Sequence, residues 1–149
     1  MTSAAKQKGS AAEREAASII NSVLGTDVKR NLEQSRGIST ADIIVPFEGK
    51  IYFVEVKRRE TLSRIAWFKQ AESHAVGVPN GVPVVAYKQN RLPWKVYWRN
   101  PRHSKMEALL LTDWLAGLTM ATKPKKGKLR LKRRSYRRTV DNTKTDGKG

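Results

Sequence analysis

Residues 42–57 read DIIVPFEGKIYFVEVK, and the pairing of this stretch with itself decides how the chain is built. Two β-rich runs, 43–47 and 51–57, flank Glu48 and Gly49, which predicts a hairpin closed by a two-residue turn. Pro46 blemishes the first run, since it cannot donate to a ladder. A two-residue turn sets Phe47 opposite Lys50, Ile44 opposite Phe53 and Asp42 opposite Glu55. Directly opposed side chains hold their Cβ atoms about 4.5 to 5.5 Å apart, and like charges there repel. At about 5 Å and an effective dielectric constant near 20 the repulsion is roughly 3 kcal/mol, so something must offset it.

A divalent cation would turn that repulsion into attraction, and hard oxygen donors without nearby cysteine or histidine favour magnesium or manganese over zinc. Lys57 shares a strand face with Glu55, where an ammonium can orient an attacking water and stabilise charge developing on a phosphate. Ile51 and Phe53 complete that face, so the charges sit at the end of an apolar surface expected to lie under a helix. The plainer alternative is a charged strand end, because Asp followed a dozen residues later by Glu-x-Lys also arises by chance.

Upstream, residues 10–25 predict a helix with Ser10 as N-cap, an apolar stripe of Ala16, Ile19, Ile20, Val23 and Leu24, and Gly25 at the stop. Glu13 has two readings. With Ser10 it forms Ser-x-x-Glu, a capping box. With Ala16, Ala17, Ile20 and Leu24 it shares the buried stripe and points toward the sheet, as a further metal ligand or water-bridging group. The second reading is preferred, because an inward carboxylate requires a partner. Residues 28–32 alternate like a short strand and 34–40 read as a loop.

Downstream, residues 61–76 have helical character, with Ile65, Phe68, Ala71 and Ala75 inward and Gly77 closing the helix. Residues 82–87 and 96–99 resemble strands joined across 89–94. A last helix is expected over 104–118, opened by a Ser104-x-x-Glu107 capping box. The sum is an α/β domain, 1–122, with a mixed central sheet flanked by helices. From Lys123 to residue 149 large apolar side chains are nearly absent, which predicts a disordered basic tail.

The net charge of +17 implies a polyanionic partner, nucleic acid first of all. Residues 1–122 hold 18 Lys and Arg against 11 Asp and Glu, while 123–149 hold 12 against 2. The absence of cysteine excludes disulfides, thiolate zinc sites and a cysteine nucleophile. With only His74 and His103, multi-histidine metal clusters are disfavoured. No apolar run spans a bilayer and residues 1–10 lack a secretory signal, so a cytoplasmic protein is expected, in a host cell if the chain is viral.

Taken in order, Lys8-Gly9-Ser10, Glu13-Arg14, a basic strand ending near Arg30, a Ser-Gly loop at Ser35 to Ser39, Asp42-Ile43-Ile44 and Glu55-Val56-Lys57 resemble archaeal-type Holliday junction resolvases. These belong to the PD-(D/E)xK nuclease superfamily, and the likeness covers about residues 6–90. It departs from the family at Ala41, where proline is usual, and in the 94–98 hairpin and the tail. The resemblance implies a restriction-endonuclease-like core and Mg2+, with Mn2+ substituting, held by Glu13, Asp42, Glu55 and Val56. It implies that Lys57 assists the water and that Glu13 completes the catalytic set from the first helix. It places Arg14, Ser35 and Gln70 at the DNA, and it implies a homodimer cutting four-way or other branched DNA. Rivals are another PD-(D/E)xK endonuclease of replication, repair or restriction, and a non-catalytic basic DNA- or RNA-binding protein.

Arg58 and Arg59, with Arg30, Arg36 and Arg64, are candidates for a phosphate-binding rim. Trp67, Trp94, Tyr97 and Trp98 are candidates for base stacking, although aromatic residues at strand and helix spacing are more often core. The tail is expected to grip duplex phosphates without sequence preference. Deleting residues 123–149 is therefore expected to flatten the salt dependence of DNA affinity while metal-dependent cutting survives; an unchanged slope of log affinity against log salt counts against a phosphate-gripping tail.

Overall fold

The computed structural model describes residues 3–31 and 40–122. Ser35, Arg36 and the tail from Lys123 lie outside the described residues. Met1–Leu118 form one compact unit; of the second, Thr119–Gly149, only the end of a helix is described.

Five strands form a single sheet in sequence order: β1 (Ile43–Phe47), β2 (Lys50–Arg58), β3 (Gly81–Lys88), β4 (Lys95–Asn100) and β5 (Lys105–Leu110). All neighbours are antiparallel except β2 and β3, which run parallel because α2 (Arg64–Ala75) connects them as a crossover. The sheet is mixed, as expected. The hairpin register is the one the turn dictates, with Ile44 opposite Phe53 and Phe47 opposite Lys50. Glu48 and Gly49 both have positive φ, 49° and 82°, the combination whose twist matches antiparallel strands. Pro46 is tolerated because β1 is an edge strand.

Alternation along the strands divides the core. Tyr52, Val54 and Val56 of β2 and Val84 and Ala86 of β3 face one side. There they pack with Ala12, Ala16, Ala17 and Ile20 of α1 (Ser3–Leu24) and Leu111, Trp114 and Leu115 of α3 (Leu111–Thr122). Trp114 meets Tyr52 and Trp98 edge to face, each with ring centroids 5.5 Å apart. On the other side α2 lays Trp67, Phe68 and Ala71 over Val85 and Tyr87, and Ala75 over Phe53 and Ala41.

Four expectations need correction. The first helix begins at Ser3, not at Ser10, because Ala4, Ala5, Lys6, Gln7 and Lys8 are strong helix formers that carry it through Gly9. Ser10 is therefore interior and caps nothing. Of the strand expected over 28–32, residue 32 lies outside the described residues, and 28–31 make one bridge, between Arg30 and Ile43. Ile65 is 68 % exposed; α2 starts only at Arg64, and its inward stripe runs Trp67, Phe68, Ala71, Ala75. The helix expected over 104–118 divides into β5 and α3, with Ser104 at φ 60° in the turn before β5. Glu107, read as a capping residue, instead accepts hydrogen bonds from Trp98 Nε1 at 3.1 Å and Asn100 Nδ2 at 3.0 Å across the β4–β5 pair.

Ile20, 1 % exposed, fastens α1 to the sheet. Ile20→Ala is expected to destabilise the protein by about 2 to 5 kcal/mol. Urea unfolding at constant m-value checks this, and a loss under about 1 kcal/mol would mean that α1 does not depend on this contact.

Candidate active site

β1 begins at Ile43, so Asp42 stands one residue beyond the ladder at the edge of the sheet. Its side chain takes over a ladder function: Oδ2 accepts the Val56 N–H at 2.7 Å. Its backbone carbonyl accepts the Asn31 N–H at 2.7 Å, and Asn31 Nδ2 donates to Thr40 Oγ1 and to the Ala41 carbonyl, both at 3.2 Å. The segment after α1 is thereby stitched to the start of β1. At its other end Asn21 holds it, donating to the Val28 carbonyl and accepting the Val28 N–H, each at 2.8 Å.

Glu55 lies on the α2 side of β2, with its residue 1 % exposed. Lys57, two residues on, brings Nζ to 4.0 Å from Glu55 Oε2. From α1, Glu13 reaches the same region, and its Oε1 accepts from Arg30 Nε at 2.9 Å. Burial raises the Glu13 carboxyl above its ordinary value, the Asp42 charge adds to this, and Arg30 opposes both. Burial likewise lifts Glu55, from 4.5 to about 8, with Asp42 next and Glu13 a smaller contributor, against Lys57. The three acids are thus electrostatic neighbours near the edge of the sheet.

They are not drawn into a finished cage. Among the described residues no three of His, Cys, Asp or Glu form a ready metal site, and Glu13 is engaged with Arg30. The donor set nevertheless fits a hard divalent cation. Asp42 and Glu55 offer buried carboxylate oxygens, and Glu55 Oε1 is buried without a hydrogen-bond partner. Val56 turns its side chain into the core and gives its N–H to Asp42, so only its carbonyl is left as a ligand.

The expected DNA-contacting residues separate by position. Arg14 and Arg30 line an open cleft of about 450 Å3 along α1, together with Lys29, which the sequence alone does not single out. Arg59 is exposed at the end of β2, whereas Arg58 is half-buried and its Nε has no partner. Arg64 holds its guanidinium 5.2 Å over the Tyr97 ring. Gln70 lies on the exposed side of α2. Trp67, Trp94 and Trp98 are buried, and Trp94 Nε1 donates to Glu15 Oε1 at 2.8 Å, so their roles are in the core.

One neighbour of Glu55 was not anticipated: His74 Nε2 lies 3.3 Å from Oε1, in contact but not aligned as a hydrogen bond. Its place next to Ala75 on the inward side of α2 was the available signal. A lone histidine carries no metal-cluster signal, since such clusters need several.

A carboxyl raised in the folded state stabilises that state fully below its unfolded value of 4.5 and loses the contribution as pH rises through about 8. In EDTA the protein is expected to lose stability across that window, by an amount on the order of a few kcal/mol. Glu55→Gln should remove the slope and be the more stable protein at pH 9. Urea midpoints at pH 5, 7 and 9 measure it, and an unchanged slope in the variant would assign the titration elsewhere.

No described helix is long and apolar enough to cross a membrane. Comparison with curated proteins gives no match. Among solved structures the fold is similar to the 1.6 Å structure of Archaeoglobus fulgidus Hjc, a Holliday junction resolvase from an archaeal hyperthermophile, with a TM-score of 0.52 and 20 % identity over 73 % of this chain and 96 % of that one. The family model described as "Phage putative PDDEXK endonuclease" matches residues 4–134, which include all four of Glu13, Asp42, Glu55 and Lys57. By that match the chain belongs to the phage PDDEXK endonuclease family.

Proposed function

We propose that the protein is a divalent-metal-dependent endonuclease that nicks branched DNA, with four-way junctions as its preferred substrate. The observation that carries the chemistry is the buried Glu55 carboxylate beside Asp42, with Lys57 Nζ 4.0 Å from Oε2. Burying one acid against another is costly unless a cation is part of the working state.

Asp42 and Glu55 hold Mg2+, or Mn2+ in its place, with Glu13 and the Val56 carbonyl completing the set. When bound, the metal supplies Lewis-acid stabilisation of the phosphodiester and lowers the pKa of a coordinated water. Lys57 orients the attacking water and balances charge on the phosphate as the ester bond breaks. Arg14, Arg30, Arg58, Arg59 and Arg64 grip backbone phosphates on either side of the cut, and Gln70, Ser35 and Arg36 contact the strand near it.

The choice of branched DNA rests on the fold shared with a resolvase and on the resemblance in residues 6–90. Resolution needs two matched nicks, which a two-fold homodimer supplies by symmetry. The setting is the cytoplasm, that of a host for a phage protein, in recombination or repair.

Incubation with a synthetic four-way junction, a flap and a linear duplex, with and without Mg2+, tests activity and substrate together. Paired nicks in the junction are expected only with metal. Asp42→Asn should lower the rate by about 100-fold or more, equivalent to about 2.7 kcal/mol, while junction binding in EDTA persists. Binding without any cutting by the wild type would leave an architectural DNA-binding protein. Efficient cutting of the linear duplex would point to a different nuclease of the same family.

A further inference from the structure

The two oxygens of Glu55 have different neighbours. Oε2 faces Lys57 Nζ at 4.0 Å. Oε1 faces His74 Nε2 at 3.3 Å and makes no aligned hydrogen bond. The His74 side chain is 9 % exposed in the last turn of α2, a helix whose other inward residues, Trp67, Phe68, Ala71 and Ala75, are all apolar. An imidazole in that position is not needed to fill the layer between helix and sheet, since the helix already does so with apolar groups. On β2 it meets the carboxylate at the centre of the candidate site.

We infer that His74 is a positioning residue, whose imidazole holds Glu55 by Oε1 so that Oε2 is presented toward Lys57 and the cation. The inference rests on the metal-dependent reading proposed above. A glutamate has three side-chain torsions, and a group on Oε1 adds to Lys57 on Oε2 in selecting which oxygen it offers. A ligating carboxylate is characteristically steadied by an outer polar group on its second oxygen, here the imidazole 3.3 Å away, and losing such a group costs about 10- to 100-fold in metal affinity or activity. His74 touches neither metal nor substrate in this scheme; it acts through Glu55.

Mn2+ titration of the full chain by electron paramagnetic resonance, without DNA, reads this directly. His74→Ala should bind Mn2+ about 10- to 100-fold more weakly than wild type, and His74→Gln, which restores an N–H donor, should recover most of the loss. Ile20→Ala, destabilised on the opposite face, should bind like wild type. Wild-type affinity in His74→Ala overturns the inference, as does an equal loss in Ile20→Ala, which would mean general loosening. A wild type that binds no Mn2+ defeats the metal reading and this inference together, and it is recognisable because no variant is involved. Should His74→Ala fail to fold, the 15N resonance of His74 Nε2 in the wild type decides. A shift on adding Mg2+ supports coupling through Glu55, and an unmoved resonance overturns it.

Discussion

The pairing of β1 with β2 is the constraint on which the rest depends. Side chains alternate between faces along a strand, so a one-residue slip would exchange the two sides of β2. Tyr52, Val54 and Val56 would leave the layer packed under α1 and α3, and Glu55 would enter it. Sliding the hairpin would also separate Asp42 from Val56, whose N–H it accepts at 2.7 Å. Core and site therefore specify the same register, and the positive φ angles of Glu48 and Gly49 fix it locally.

What could be read from the sequence was what local chemistry decides. The hairpin follows from a turn and an alternation within sixteen residues, and the inward stripe of α1 from helical spacing. Asp42, Glu55 and Lys57 were legible because the register alone relates them. The rest depended on partners distant in the chain. Residues 105–110 have helix-forming character, and only pairing with β4, where Glu107 meets Trp98 and Asn100, makes them a strand. His74 comes to Glu55 from nineteen positions further along the chain, through the crossover, which no periodicity encodes.

The misplaced start of α1 bears on function. Had Ser10 been the N-cap, Glu13 would have had a local use in reaching back to it. With Ser10 interior, that use is gone and the carboxylate is committed to Arg30 beside Asp42. The pattern Ser-x-x-Glu occurs without its usual meaning because the good helix formers from Ala4 to Lys8 carry the helix through Gly9 and past Ser10.

Three acids and two internal cations, Arg30 and Lys57, leave the cluster one negative charge in excess if every carboxyl is ionised. Burial makes that excess expensive. The chain relieves it by letting Glu55 keep a proton up to about pH 8, so near neutrality the metal-free cluster is close to electrically balanced. On the proposed reading, a divalent ion would have to displace that proton, coupling its uptake to pH, and would compete with Arg30 for Glu13. Arg30 lines the cleft along α1, where a DNA phosphate would offer its guanidinium another partner. On the proposed reading, substrate binding and completion of the metal site would draw on the same ion pair, and a phosphate that took Arg30 from Glu13 would leave the cluster more acidic and better suited to a cation.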